Sequence, residues 1–149
     1  MKVLLDRSVL TAAYLARHQD HASSRGWVEK LLAPGPDSLF LGAHTVAGVY
    51  AGLTELPLKE RVPPAHALAF VEAVAQRATL LAVPPEATLP LLASLASNGW
   101  GGEAVEDALT ALVAARAKID LLLTLDVEGF RRVWPSGAER IRSPREAAL

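Results

Sequence analysis

The chain has 149 residues, of which 51% are hydrophobic, 21% charged and 5% aromatic, with a formal net charge of −1 and no cysteine. Thiol nucleophiles, disulfides, zinc–thiolate centres and cysteine-ligated iron–sulfur clusters are therefore excluded, and so is a globally basic coat for nucleic acid. The length suits a single domain spanning residues 1–149, able to bury roughly 68–70% of its unfolded surface without staples.

The first apolar run, Val3-Leu4-Leu5, is stopped by Asp6 and Arg7. Three apolar residues are too few for the core of a signal peptide, and the run reads as a strand. Helical spacing of apolar residues follows over about 9–17 and 21–33. A second short run, Leu39-Phe40-Leu41, precedes helical periodicity over about 45–56 and 64–77, and a third, Leu80-Leu81-Ala82-Val83, precedes helices at about 86–97 and 102–118. Leu121-Leu122-Leu123 and Ile141 supply the last strands. Pro34-Gly35-Pro36, Pro57, Pro63-Pro64, Pro84-Pro85, Asn98-Gly99 and Pro135 all fall between these segments, where a fixed φ or a missing N–H does no damage.

Strands thus alternate with helices, and the apolar runs lack the strict alternation of a half-exposed sheet. That combination predicts an α/β fold, a three-layer α/β/α sandwich around a central, mainly parallel sheet. The longest apolar region, 108–125, is interrupted by Arg116, Lys118 and Asp120, so no membrane span is expected and the cytoplasm is the default location.

In such a sheet the functional crevice lies outside the carboxyl ends of the strands. Asp6 follows the first strand directly and Asp126 follows the Leu121-Leu122-Leu123 strand, while Asp107 lies in the helix that begins near Gly102. At ~100° per residue Glu103 and Asp107 stand one above the other on that helix, with Glu106 beside them. Crowded carboxylates persist when protonated, splayed into water or neutralised by a cation, and an oxygen-only set favours Mg²⁺ or Mn²⁺. The same residues also have structural uses: Glu103 and Glu106 complement a helix dipole, and Asp6 and Asp126 suit helix N-caps.

Read together, the motifs resemble the PIN-domain family, in particular the ribonuclease toxins of VapC-type toxin–antitoxin pairs. Val3-Leu4-Leu5-Asp6-Arg7-Ser8-Val9-Leu10 is similar to the family's first strand ending in Asp-Thr-Asn-Val-Leu. His44-Thr45-Val46-Ala47-Gly48-Val49-Tyr50-Ala51-Gly52-Leu53-Thr54-Glu55-Leu56-Pro57 resembles the second block. Gly99-Trp100-Gly101-Gly102-Glu103-Ala104-Val105-Glu106-Asp107-Ala108-Leu109 resembles the third, and the segment from Asp120 through Thr124 and Asp126 to Arg131-Arg132 the fourth. The tail at Pro144 is also similar. The blocks occur in the family's order and cover nearly the whole chain.

The resemblance implies a metal-dependent endoribonuclease in which Asp6, Asp107 and Asp126 are catalytic and hold Mg²⁺ or Mn²⁺, with Ser8 and Thr124 orienting them. It also implies a homodimer and a small antitoxin that inserts a helix or tail into the acidic groove. Two departures stand out: Gly48 occupies the place of the family's second acid, and Arg7 stands where a threonine is usual. Two readings follow. Either Glu103 or Glu106 restores the missing charge and the nuclease is intact, or the site has decayed and the fold persists as a binding module. From Arg131 to Leu149 five arginines face two acids, so Arg131 and Arg132, with Arg7, are candidate RNA phosphate contacts. Trp27, Trp100 and Trp134 are candidates for base stacking, the core or an interface, and His44 is a remote candidate for the missing ligand. A receiver domain is disfavoured by the order of the acids, a nucleotide-binding loop by the lack of a lysine after Gly102, and a serine hydrolase by the lack of a Gly-x-Ser-x-Gly turn.

Overall fold

A computed structural model describes residues 1–148. Five strands, β1 (Lys2–Leu5), β2 (Ser38–Gly42), β3 (Ala78–Leu81), β4 (Leu121–Leu123) and β5 (Ile141–Arg142), form one sheet in the order β3-β2-β1-β4-β5. Every pairing is parallel, which sharpens the expected mainly parallel sheet: Val3 stands opposite Leu39 on one side and Leu121 on the other.

Alternation along the strands assigns the layers. Val3, Leu5, Leu39, Leu41, Leu121 and Leu123 share one buried cluster with residues of the helices α1 (Arg7–Tyr14), α2 (His21–Leu32), α3 (Ala43–Thr54) and α4 (Pro64–Ala75). Leu4 and Leu122, between them in sequence, point to the opposite cluster, built with Ala111, Val113 and Ala114 of α6 (Glu103–Ala117) and Phe130 of α7 (Val127–Val133). Burial on both faces explains why these strands read as unbroken apolar runs. Val3, Leu4 and Leu5 are 0% exposed, as a central strand requires.

Four expectations need correction. The third strand lies two residues earlier than the 80–83 run, at Ala78–Leu81, because its register against Leu39–Gly42 ends before Pro84-Pro85 opens α5 (Pro85–Ser97). This strand is also an edge, so it is not buried on both faces: Thr79 is exposed and Leu80 is 47% exposed. Periodicity assigned neither α7 nor the 3₁₀ turn Pro135–Arg140, both too short to establish a 3.6-residue period, and only the N-cap use of Asp126 pointed to α7. The first helix begins at Arg7, two residues earlier than its apolar pattern, because Asp6 caps it. Trp27 and Trp134 lie in the core, and the Trp27 indole N–H donates to the Ala147 carbonyl. Among the described residues no helix is long and apolar enough to cross a membrane.

Candidate active site

The strand order reverses at β1. From there the chain proceeds outward through β2 and β3, then returns to β1's other side with β4 and β5. A crevice forms where connections diverge outside the strands' carboxyl ends. Asp6 and Thr124 stand there, directly after paired Leu5 and Leu123.

Asp6 is 5% exposed and tightly held. The Ser8 N–H, the Ser8 hydroxyl and the Thr124 hydroxyl donate to its Oδ2 at 3.3, 2.7 and 3.0 Å. The first bond makes Asp6 the N-cap of α1. With both hydroxyl protons committed to Asp6, the Ser8 and Thr124 oxygens are free to accept: Leu125 N–H donates to Ser8 Oγ and Asp126 N–H to Thr124 Oγ1, each at 3.0 Å. The 3.4 Å approach of the two hydroxyl oxygens to each other is then a contact without a proton to share. Ser8 and Thr124 thus tie β1, α1 and the end of β4 into one network around a buried carboxylate. Asp126 caps α7, accepting from Gly129 N–H at 2.9 Å. Both structural uses of Asp6 and Asp126 foreseen in the sequence are realised, alongside their placement in the crevice.

From α6 come the remaining acids. Gly102, at φ +59°, takes a backbone conformation that side chains resist, and it redirects the chain into the helix. Glu103, Glu106 and Asp107 then turn toward the same cleft of about 350 Å³, which Asp6, Arg7, Ser8 and Asp126 also line. Burial, then the charges of Asp6, Asp126, Glu106 and Glu103, push Asp107 up to about 7 from 3.8. Burial also raises Glu106, with Asp6 and Glu103 adding to it and the neighbouring Arg7 opposing. Asp107 therefore reports on every other acid in the cleft.

The carboxylates are not gathered to a point. Among the described residues no three His, Asp or Glu side chains are arranged to hold a metal ion as they stand. One Asp126 oxygen is committed to the α7 cap, and Glu106 Oε2 is 3.2 Å from Arg7 Nη1. The donor set nevertheless fits a hard divalent cation: every candidate ligand is a carboxylate oxygen, Glu106 Oε1 is buried without a partner, and the repulsion that raises Asp107 is relieved by positive charge.

The other candidates lie elsewhere. Arg131 bonds to Glu128 and the Ile141 carbonyl, and Arg132 lies 5.6 Å from the centre of the Trp100 ring, both on α7 and outside the cleft lining. Arg145 of the basic tail is occupied by Asp20 and the Gln19 carbonyl. His44 Nε2 is 2.8 Å from Thr110 Oγ1 on α6, and burial holds the imidazole below its ordinary range against the pull of Asp6. His44 does not line the cleft. Thr11, His18, Gly52 and Leu56 do, and sequence reasoning passed over them. Helical spacing could have found two: Thr11 is four residues after Arg7, and Gly52 is four after Gly48, while Leu56 lies two residues past the end of α3. His18 sits in a connection, where spacing carries no signal.

The all-parallel sheet and the acid-lined crevice at its switch point define a PIN-type α/β/α domain. No protein-family model matches the chain. It is 36% identical over 118 residues to Ribonuclease VapC31 of Mycobacterium tuberculosis, covering 74% of this chain and 80% of that protein. The chain belongs to the VapC family of PIN-domain toxin–antitoxin nucleases. The fold agrees with solved structures of low sequence identity. VapBC-1 from nontypeable Haemophilus influenzae superposes with a TM-score of 0.64 at 17% identity, over 97% of this chain and 99% of that one. FitAcB from Neisseria gonorrhoeae does so with a TM-score of 0.64 at 20% identity, over 97% and 99%.

Proposed function

We propose that this protein is an endoribonuclease that hydrolyses RNA phosphodiester bonds with Mg²⁺ or Mn²⁺, its cation held by Asp6, Asp107 and Asp126 with help from Glu106. The observation that carries the reading is the convergence of carboxylates from the ends of β1 and β4 and from α6 on one cleft, where burial first and then the neighbouring charges push Asp107 up to about 7. The bound cation would supply Lewis acidity and an activated water for in-line attack on phosphorus.

The chain's own residues have separable tasks. Ser8 and Thr124 hold Asp6 through Oδ2, fixing the direction in which its other oxygen is offered. Asp107, pushed up to about 7 chiefly by burial, holds a proton near neutrality in the cation-free cleft and releases it on ligating a cation, which makes cation binding pH-dependent. Arg7 stands in the cleft wall, where a guanidinium can meet phosphate, and Arg131 and Arg132 on α7 extend positive charge beyond the cleft. A small antitoxin is the proposed inhibitor, consistent with the VapBC and FitAcB assemblies that share the fold. A second chain of the same kind is the proposed partner in a homodimer.

Gly48 and the Arg7–Glu106 pair favour a second reading, a binding module without catalysis. One assay separates the two: incubation of a mixed single-stranded RNA pool with antitoxin-free protein in Mg²⁺ or Mn²⁺, beside EDTA and Asp107→Ala controls. Metal-dependent cleavage lost in the variant supports the nuclease. Absence of cleavage by folded wild-type protein across both ions overturns it in favour of the binding module.

A further inference from the structure

Position 48 is a glycine, and the space a side chain would take there is filled. A Cβ at this position would lie 3.1 Å from Glu106 Oε1 and 3.2 Å from Arg7 Cδ. Residues from α1 and α6 thus meet over α3, in the vacancy the glycine leaves. Glu106 is only half satisfied there: Arg7 Nη1 stands 3.2 Å from Oε2, while Oε1 is buried with no donor. A guanidinium that grips a carboxylate well does so through two parallel bonds, whereas this pair has a single ion-pair contact. The Arg7 side chain is 41% exposed and that of Glu106 26%, so the arginine has solvent to swing into while the carboxylate is the more enclosed partner.

We propose that Arg7 is a removable internal counter-ion of Glu106, and that it competes with the divalent cation for this carboxylate. The inference rests on the divalent-ion reading above. It goes further in assigning Glu106, and not Glu103, as the group that replaces a side chain at position 48, and in making the affinity of the cleft for its cation depend on release of Arg7. Glu103 is exposed, and the atoms nearest the space over Gly48 belong to Glu106 and Arg7. In this arrangement Arg7 neutralises Glu106 when the cation is absent and must leave when it arrives, so each cation bound frees one arginine.

The test is Mn²⁺ titration by calorimetry of the full chain as wild type, Arg7→Gln, Glu106→Gln and the double variant, with circular dichroism to confirm folding. Glu106→Ala serves as the second variant if the amide disturbs the fold. Removing a competing partner of this exposure should tighten Mn²⁺ binding about three- to five-fold in Arg7→Gln. Glu106→Gln should weaken binding, and in that background Arg7→Gln should gain no more than about two-fold, because the competition is already gone. Mn²⁺ binding that appears only once Arg7 is replaced also supports the proposal, as its extreme case. Equal gains in both backgrounds would reduce Arg7 to a general field and overturn it. Unchanged or weaker binding in Arg7→Gln, with the wild type binding normally, overturns it and leaves the divalent-ion reading standing. Absence of binding in all the folded variants overturns both.

Discussion

Replacing Asp107 by asparagine should stabilise the metal-free protein, and more so as pH rises. Asp107 titrates at about 7 in the folded chain against an ordinary 3.8, chiefly because burial and then the charges of Asp6 and Asp126 disfavour its ionised form. The folded state therefore keeps a proton that the unfolded state releases between those two values, and stability is lost progressively from about pH 4 to about pH 7. Taken at face value the displacement corresponds to ~4 kcal/mol, and screening by solvent in an open cleft reduces this to about 2 kcal/mol. Asparagine keeps the shape and cannot ionise. The stability gap between Asp107→Asn and wild type should accordingly be about 2 kcal/mol larger at pH 8 than at pH 4, or about 4–8 °C in Tm for a chain of this size. Urea unfolding at a series of pH values in EDTA measures it. A gap that does not change between pH 4 and pH 8 would refute the assignment of Asp107 as the acid that bears the repulsion of the cleft.

Saturating Mn²⁺ should reverse that ranking, stabilising the wild type by about 2.7 kcal/mol at one hundred times its dissociation constant and leaving Asp107→Asn nearly unmoved in a thermal shift assay. Ser8→Ala removes one of the two hydroxyls that satisfy buried Asp6 and should lower unfolding free energy by about 1–3 kcal/mol in urea at neutral pH. Phe130→Ala, at a fully buried position under the sheet, should lower it by about 3–5 kcal/mol with no dependence on metal. Joint replacement of Arg131 and Arg132 by glutamine should leave Mn²⁺ affinity unchanged while reducing the slope of log RNA affinity against log salt by about 1.4, as two phosphate contacts on a single strand require.

The layers of the fold were legible because β1, β2 and β4 are buried on both faces, and burial imposes a continuous apolar run that no other element of this length shows. The same logic misplaced β3. As an edge strand it takes only half of its constraint from the core, so Leu80 and Leu81 could be read into a run two residues too late. The crevice was legible from the positions of Asp6 and Asp126 at strand ends and from the helical spacing of Glu103 and Asp107. The meeting of Glu106 with Arg7 over Gly48 was not. It depends on how α1, α3 and α6 cross, a distance set by packing, and a glycine in a sequence shows only that a side chain is missing and nothing of what fills its place. His18 was hidden for the same reason, since a connection has no period to read.

Asp6 and Asp126 each cap a helix, whereas Asp107 weakens the fold it sits in. If the proposed activity holds, a relative without it would keep the first two for folding alone and would gain stability by shedding the third. Retention of Asp6 in a relative therefore says little about whether that relative cuts anything. On the nuclease reading, an aspartate at the position of Asp107 is the mark of continuing use, and its replacement by a neutral residue, above all together with loss of Glu106, marks a lineage in which the cleft has been released from its task.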